Sequence, residues 1–160
     1  MIYYPSTCDG AIYAVRDAGT APAVLWRFAP LAFWGPGQGQ GQGPVRGAVS
    51  WTSPALLEGP AEPYALYVGR GDGLVIAVDV SLCAALSPPG GDCSARGLLW
   101  SFRTFGPVVS SPAIAGRSSG GWGAGAYVII ASQDGNIYGL DARSGALRWI
   151  YEVHALTPLS

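Results

Sequence analysis

The sequence has little charge and few residues suited to acid–base or metal chemistry. It contains no lysine and one histidine, only 12% of its 160 residues are charged, and its net charge is −1. This balance provides no electrostatic basis for binding nucleic acid or an anionic membrane surface. The single histidine, His154, cannot form a histidine-rich metal site, and no Ser-His-Asp set can be argued from the sequence.

The sequence also lacks a long apolar run. No segment is apolar over the roughly 18 residues that a transmembrane helix needs, so we expect no membrane span. Residues 1–5 contain no basic group ahead of an apolar segment, so no signal peptide is recognised.

What the sequence does contain is a motif that occurs three times. Each copy has a short apolar run, an Asp-Gly pair, a second apolar run and, further on, a tryptophan. The pairs are Asp9-Gly10, Asp72-Gly73 and Asp134-Gly135, and the tryptophans are Trp26, Trp100 and Trp149. Asp-Gly between two apolar runs indicates a β-hairpin, and we expect a type I′ turn with positive φ at both central residues.

A further apolar run precedes the second and third copies, at 53–56 and 111–114, and each begins with Ser-Pro. Proline is tolerated at the start of a strand, where it removes a donor from the end of the ladder only. We therefore expect four strands in each of these copies and three in the first, which lacks this run.

The predicted strands are apolar on both faces. In the run at 127–131, Tyr127 and Ile129 would point to one side of a sheet, and Val128 and Ile130 to the other. A sheet with one face in water would alternate polar and apolar residues, so these sheets must lie between two neighbours. Four-stranded antiparallel sheets stacked around an axis form a β-propeller. We therefore predict an all-β fold, a partial β-propeller of about three blades.

The spacing of the copies predicts the domain organisation. The three aspartates recur at intervals of just over 60 residues, compared with roughly 40–50 residues per blade in known repeats of the WD-like architecture. The excess lies in glycine-containing segments at 35–43, 86–92 and 117–125, whose composition is typical of flexible loops. We predict one domain over 1–160, with blade 1 near 1–30, blade 2 near 48–104, blade 3 near 107–153 and the start of a further strand at 155–160.

The third copy carries a recognisable pattern. Residues 139–149 read Gly-Leu-Asp-Ala-Arg-Ser-Gly-Ala-Leu-Arg-Trp. This segment resembles the tryptophan-docking repeat of the PQQ-like, quinoprotein-type β-propellers, Ala-x-Asp-x-x-Thr-Gly-x-x-x-Trp. Gly139 stands where the pattern has Ala, and Ser144 stands where it has Thr.

The other two copies resemble the same repeat less closely. The second keeps Ala77, Asp79 and Trp100 but has an insertion between the aspartate and the tryptophan. The first keeps its tryptophan but has Arg16 where the pattern has Asp.

The resemblance implies structural roles for the motif residues. Asp141 would accept backbone N–H groups across the turn at Ser144-Gly145, as Asx side chains do, and Gly145 would supply a positive φ. Each tryptophan would pack its indole onto the adjacent blade and find a partner for its N–H.

The cysteines leave two alternatives open. Cys83 and Cys93 flank a Pro-Pro-Gly-Gly segment, so they could form a disulfide in an oxidising compartment or remain two free thiols. Cys8 lies beside Asp9-Gly10 and has no obvious partner in the sequence.

The expected propeller is incomplete. Propellers close with about four to eight blades, whereas this chain begins without the first strand of blade 1, and Thr157-Pro158 resembles the start of another Ser-Pro strand. The remaining blades would belong to a longer protein, or would come from a homo-oligomer in which this last strand completes the first blade of a partner. Either way we expect exposed apolar faces and strand edges that bind a protein partner or the remaining blades.

The same resemblance limits the expected chemistry. Quinoprotein dehydrogenases bind PQQ and Ca²⁺ over a complete ring, beside an adjacent-cysteine disulfide and a catalytic carboxylate. This sequence has no Cys-Cys pair, and Glu58, Glu62 and Glu152 lie at predicted loops or strand ends. We therefore predict no catalytic residue, cofactor or metal site, and a non-catalytic scaffold for protein–protein interaction. The alternatives are an inactive fragment of a PQQ-dependent oxidoreductase and the propeller part of a larger enzyme or sensor.

Overall fold

The computed structural model describes residues 1–30, 50–58, 65–86, 89–116 and 125–153. These residues form three four-stranded sheets and one short helix. The prediction of an all-β chain built from four-stranded sheets is confirmed. We call the sheets blades 1, 2 and 3 in chain order.

The blades contain the following strands. Blade 1 has β1 (Ile2–Pro5), β2 (Ile12–Asp17) and β3 (Pro22–Phe28). Blade 2 begins with β4 (Ala55–Leu57), β5 (Ala65–Gly69) and β6 (Leu74–Asp79); the chain then forms α1 (Val80–Leu86) and β7 (Gly91–Asp92) before β8 (Leu98–Arg103), the last strand of blade 2. Blade 3 has β9 (Ala113–Ala115), β10 (Tyr127–Ala131), β11 (Asn136–Asp141) and β12 (Leu147–Glu152).

The three blades share one strand register. The tryptophan of each last repeat strand pairs across the sheet with a small residue: Trp26 with Ala14, Trp100 with Ala77 and Trp149 with Gly139. A β-bulge follows each of these pairs at the same place in the repeat. The register therefore matches the residues of the last two repeat strands in each blade to their counterparts in the other two.

Blade 2 lies between its neighbours and is buried on both faces. All five residues of β5 are buried, and so are all residues of β6 except Asp79. One face, which includes Leu66, Val68 and Ile76, packs in a cluster with the Trp26 face of blade 1. The other, which includes Tyr67 and Trp100, packs in a cluster with blade 3. Since full burial of one large apolar side chain stabilises a fold by roughly 1.5–3 kcal/mol, these two clusters hold the blades together.

The fourth strand of blade 1 comes from blade 2. The strand β7 pairs in parallel with β3, through Trp26 with Gly91 and Arg27 with Asp92. The expectation that this repeat contributes three strands is correct. The strand β7 adds a fourth beside β3, at the edge opposite to the one where the first strand of the repeat is lacking. The prediction of a flexible loop over 86–92 is wrong at its end, because Gly91 and Asp92 form this strand.

The Asp-Gly hairpins do not contain the expected type I′ turns. Gly10, Gly73 and Gly135 have positive φ, but no non-glycine residue in the described chain does. In the hairpin of blade 3 the N–H of Gly135 donates to the carbonyl of Ser132. The central residues of this tight turn are therefore Gln133 and Asp134, neither with positive φ, and the glycine is its last residue. The physical reason is the aspartate side chain, which stabilises this other turn by accepting the N–H two residues further on.

Candidate protein-interaction surface

The turn between β11 and β12 is built around Asp141. Its Oδ1 accepts the backbone N–H of Arg143 at 3.1 Å and that of Ser144 at 2.9 Å. The hydroxyl of Ser144 donates to the same oxygen at 2.9 Å. Gly145 closes the turn with φ of 70° and donates its N–H to the carbonyl of Asp141 at 2.8 Å. Asp141 and Gly145 thus close this turn through hydrogen bonds within five residues of the chain.

The negative charge of Asp141 is paired with an arginine of the next strand. Its second oxygen, Oδ2, accepts a hydrogen bond from the guanidinium of Arg148 on β12. Burial raises the pKa of Asp141, but the hydrogen bonds from Arg148 and Ser144 outweigh burial and hold that pKa below its usual value. This carboxylate is therefore ionised at neutral pH, and both of its oxygens bind groups of the turn and of β12.

Trp100 of blade 2 docks onto this turn of blade 3. Its Nε1 donates to the carbonyl oxygen of Ala142 at 2.9 Å. The indole lies over Gly145, where an added Cβ would be 2.6 Å from Trp100 Cδ2. The hydroxyl of Tyr67 donates to the same Ala142 oxygen at 3.0 Å. One carbonyl of blade 3 therefore receives two hydrogen bonds from buried aromatic residues of blade 2.

Tyr67 is a contact that the sequence reading missed. It lies in the middle of an apolar strand and is fully buried. A buried tyrosine needs a partner for its hydroxyl, so its position in a run of apolar residues was a usable signal. Burial raises the pKa of Tyr67, and the negative charge of Asp141 raises it further.

Trp26 of blade 1 occupies the matching position at the other junction but lacks the matching hydrogen bond. It is fully buried, and its Nε1 has no hydrogen-bond partner among the described residues. The counterpart of Ala142 in blade 2 is Val80, the first residue of α1. Asp79 accepts the N–H of Leu82 at 2.7 Å, three residues on, as Asp141 does with Ser144, but the chain continues into a helix.

The insertion in blade 2 contains a disulfide. Cys83, on α1, is bonded to Cys93, which directly follows β7, with their Cα atoms 5.2 Å apart. Both cysteines are buried. Of the two alternatives left open by the sequence, the structure contains the disulfide, and Cys8 is a free, exposed cysteine.

The aspartates of the Asp-Gly turns serve their own hairpins. Asp9, Asp72 and Asp134 each accept the backbone N–H two residues on, from Ala11, Leu74 and Asn136. The described residues contain no group of three or more His, Cys, Asp or Glu side chains placed to share a metal ion.

Asp134 also joins two blades. Its Oδ2 accepts the N–H of Phe105, in the chain after blade 2, at 2.9 Å, and the hydroxyl of Tyr138 at 2.7 Å. Burial raises the pKa of Asp134, but hydrogen bonds led by the one from Tyr138 outweigh burial and lower that pKa. The three turn aspartates are therefore part of blade construction.

The far face of blade 3 is open. Trp149 is 38% exposed, whereas its counterparts Trp100 and Trp26 are 8% and 0% exposed. Its indole lies over Gly139 of its own blade, where a Cβ would overlap the ring. All six residues of β12 are exposed, including Tyr151 at 63%. Blade 3 thus presents Trp149 and the edge strand β12, which no described residue covers.

Some of the sequence expectations concern residues outside the described chain. These are the single histidine His154, the carboxylate of Glu62, the loop predicted at 35–43, the loop predicted at 117–125 up to residue 124, and the strand predicted at 155–160. In the part of the chain that the structure does describe, no helix has the length and apolar character needed to cross a membrane.

Comparison with known proteins supports the fold. The chain is similar to the crystal structure of BamB from Moraxella catarrhalis, a β-propeller, with a TM-score of 0.53 and 15% sequence identity over 92% of this chain. The chain spans 31% of the length of BamB. The prediction of a partial β-propeller is confirmed at the level of fold.

A second solved structure, BBS1N in complex with ARL6DN, matches 94% of this chain and 46% of that one, with 15% identity and a TM-score of 0.48. A likeness at that TM-score does not establish a shared fold. No family model and no curated protein matches the sequence.

Proposed function

We propose that this chain is a segment of a PQQ-like β-propeller that acts as a non-catalytic protein-interaction scaffold, and that the open face of blade 3 is its docking surface. The observation that carries the proposal is the correspondence between this face and the face of blade 2 that blade 3 covers. Trp149 corresponds to Trp100, and Tyr151 corresponds to Phe102, by strand register.

This correspondence indicates which kind of structure would cover the open face of blade 3. On blade 2, the indole of Trp100 has a carbonyl at its N–H and a residue without a side chain beneath its ring, which Ala142 and Gly145 supply. The occupant of the Trp149 face is therefore a β-sheet with an apolar face and a turn of the Asp-x-x-x-Gly kind. Blade 1 of a second copy fits less well, because Arg16 stands where that turn has its aspartate.

The assignment to the PQQ-like type is supported by the turn at 141–145 and by the docking of Trp100 on it. The non-catalytic character is supported by the use of the carboxylates. Asp134 and Asp141 have lowered pKa values and their oxygens bind turn N–H groups, Tyr138 or Arg148, so they are poorly suited to donate or accept protons in a reaction.

The proposal is tested by supplying the missing sheet. Residue 153 corresponds to residue 104 in the repeat, so a second copy of residues 105–153 joined directly after residue 153 places a new docking turn at Trp149. We expect the added blade to raise the melting temperature and to shift the ¹⁹F signal of a fluorotryptophan at position 149 toward that of a buried ring. The matched control is the same extended chain with Gly145→Val in the added copy only, which blocks the indole.

Equal melting temperatures and equal Trp149 signals in the 1–153 chain, the extended chain and the control would contradict the docking proposal. The non-catalytic part has a separate test, in which the chain is titrated with PQQ and Ca²⁺. We expect no change in PQQ absorbance; a saturable change would favour the oxidoreductase fragment instead.

A further inference from the structure

The insertion in blade 2 lies at the tryptophan-docking turn itself. In blade 3, the N–H of Asp141 bonds the carbonyl of Ala146, which closes a short turn. In blade 2, the N–H of Asp79 bonds the carbonyl of Gly97 at 2.8 Å, so the same closing bond now spans α1 and β7. The insertion therefore replaces the surface on which Trp26 of blade 1 would have docked.

The inserted residues extend to blade 1 and bind its outer strand. The N–H of Gly90 donates to the carbonyl of Leu25 at 3.0 Å, and the N–H of Cys93 donates to the carbonyl of Arg27 at 2.8 Å. The N–H of Ala29 donates to the hydroxyl of Ser94 at 2.7 Å.

An ion pair adds to these backbone bonds. Arg27 Nη1 lies 2.8 Å from Asp92 Oδ2, and the other oxygen of Asp92 accepts hydrogen bonds from the N–H and the hydroxyl of Ser94. These contacts cover the edge of β3, whose carbonyls and N–H groups would otherwise be open for pairing.

The disulfide joins the two halves of this insertion. Cys83 belongs to α1, which continues directly from β6 of blade 2, and Cys93 follows the strand that pairs with blade 1. The bond is packed against Gly97, where an added Cβ would be 2.6 Å from Cys83 Sγ. The residues that contact blade 1 are thus tethered covalently to blade 2.

We propose that residues 80–86 and 89–97 form a redox-sensitive clasp, which locks blade 1 to blade 2 while Cys83 and Cys93 are bonded and which uncovers the edge of β3 when they are reduced. In the reducing step a dithiol gives two electrons and two protons to the disulfide. The S–S bond breaks, two thiols form, and the dithiol closes its own disulfide. The junction between blades 2 and 3 contains no such bond among its described residues and does not respond.

Amide hydrogen exchange on the full chain tests the clasp. The reporters are the amides of Gly90 and Cys93, which bond blade 1, and the reference is the amide of Ala142, which donates to Ala126 within blade 3. We expect reduction by dithiothreitol, verified by mass, to accelerate exchange at the reporters about tenfold or more and to leave the reference unchanged. Unchanged reporters in the fully reduced protein would overturn the proposal, and so would equal acceleration of reporters and reference, since that means global unfolding.

Two variants separate the clasp from a general effect of thiol chemistry. The Cys83→Ser/Cys93→Ser protein should match the reduced wild type, with a melting temperature lower by about 10 °C, whereas Cys8→Ser should match the oxidised wild type. Asp92→Asn keeps the disulfide and removes the ion pair with Arg27, so it tests the clasp even if the double variant does not fold. It should accelerate exchange at Gly90 and Cys93, and unchanged exchange there would overturn the role given to β7.

Discussion

Each of the two blade junctions buries an apolar cluster, but the two junctions are held together differently. Between blades 2 and 3, Trp100 and Tyr67 donate to the carbonyl of Ala142, and the indole lies over Gly145. Between blades 1 and 2, Trp26 is buried without a partner for its N–H in the described chain, and the junction has backbone bonds, an ion pair and a disulfide-tethered insertion instead.

The difference shows how a repeat accommodates an insertion at its docking turn. An unpaired buried donor costs about 1–3 kcal/mol, so loss of the carbonyl opposite Trp26 weakens the first junction. The insertion offsets this loss because it supplies new hydrogen bonds to the carbonyls of Leu25 and Arg27, the two neighbours of Trp26 in β3.

The largest effect is expected at the junction between blades 2 and 3, where the indole of Trp100 lies against Gly145. Gly145→Val places a β-branched residue at φ of 70° and pushes its Cβ into Trp100, so we expect a loss of about 4 kcal/mol in the free energy of unfolding, measured by urea denaturation. The matched control is Gly19→Val, since Gly19 also has positive φ but nothing within 4 Å of its added Cβ. That variant should lose about 1–2 kcal/mol from backbone strain alone. Similar losses in the two variants would show that Trp100 does not require a bare turn.

The two docked tryptophans allow the junctions to be compared directly. Trp100→Phe removes the hydrogen bond to Ala142, whereas Trp26→Phe removes an N–H that has no described partner. Both changes remove a similar ring volume, so we expect Trp100→Phe to cost about 1–2 kcal/mol more in the free energy of unfolding. Equal costs, measured in parallel denaturant titrations, would mean that the hydrogen bond does not distinguish the junctions.

The smallest effect concerns the second donor at the blade 2–3 junction. Tyr67→Phe should cost about 1 kcal/mol at neutral pH, because Ala142 keeps its bond from Trp100. The pKa of Tyr67 is raised in the folded state, so its contribution is complete below the ordinary tyrosine pKa of 10.0 and is lost as pH rises above that value. The wild-type stability should therefore fall more steeply in alkali than that of the variant, by up to about 1.4 kcal/mol per pH unit. Parallel curves in alkali would contradict this.

Prediction from sequence succeeded where the signal was local. The Asp-Gly pairs correctly indicated hairpins, because apolar runs and a glycine at positive φ are properties of a few neighbouring residues. The turn type was wrong, because Asp72 and Asp134 stabilise another turn through side-chain bonds to Leu74 and Asn136.

Prediction failed where contacts join distant parts of the chain. The strand β7 has only two residues, Gly91 and Asp92, and no periodicity can reveal so short a strand. Its partner Arg27 lies 65 residues away, so neither the pairing nor the ion pair is visible in the local sequence. The hydroxyl of Tyr67 meets Ala142 across 75 residues, with the same consequence.

The sequence by itself determined the repeating sheet, its hairpins and the turn at Asp141 and Gly145, since apolar runs, glycines at positive φ and short-range hydrogen bonds govern all of these. Only the tertiary structure decided what each repeat faces. One motif position is shared by Trp26, Trp100 and Trp149, yet their surroundings differ. Trp26 is buried beside the inserted clasp, Trp100 is docked on the turn of blade 3, and Trp149 is 38% exposed. The burial of a docking residue depends on which blade lies beside it, and that neighbour is contributed by residues far away in the chain.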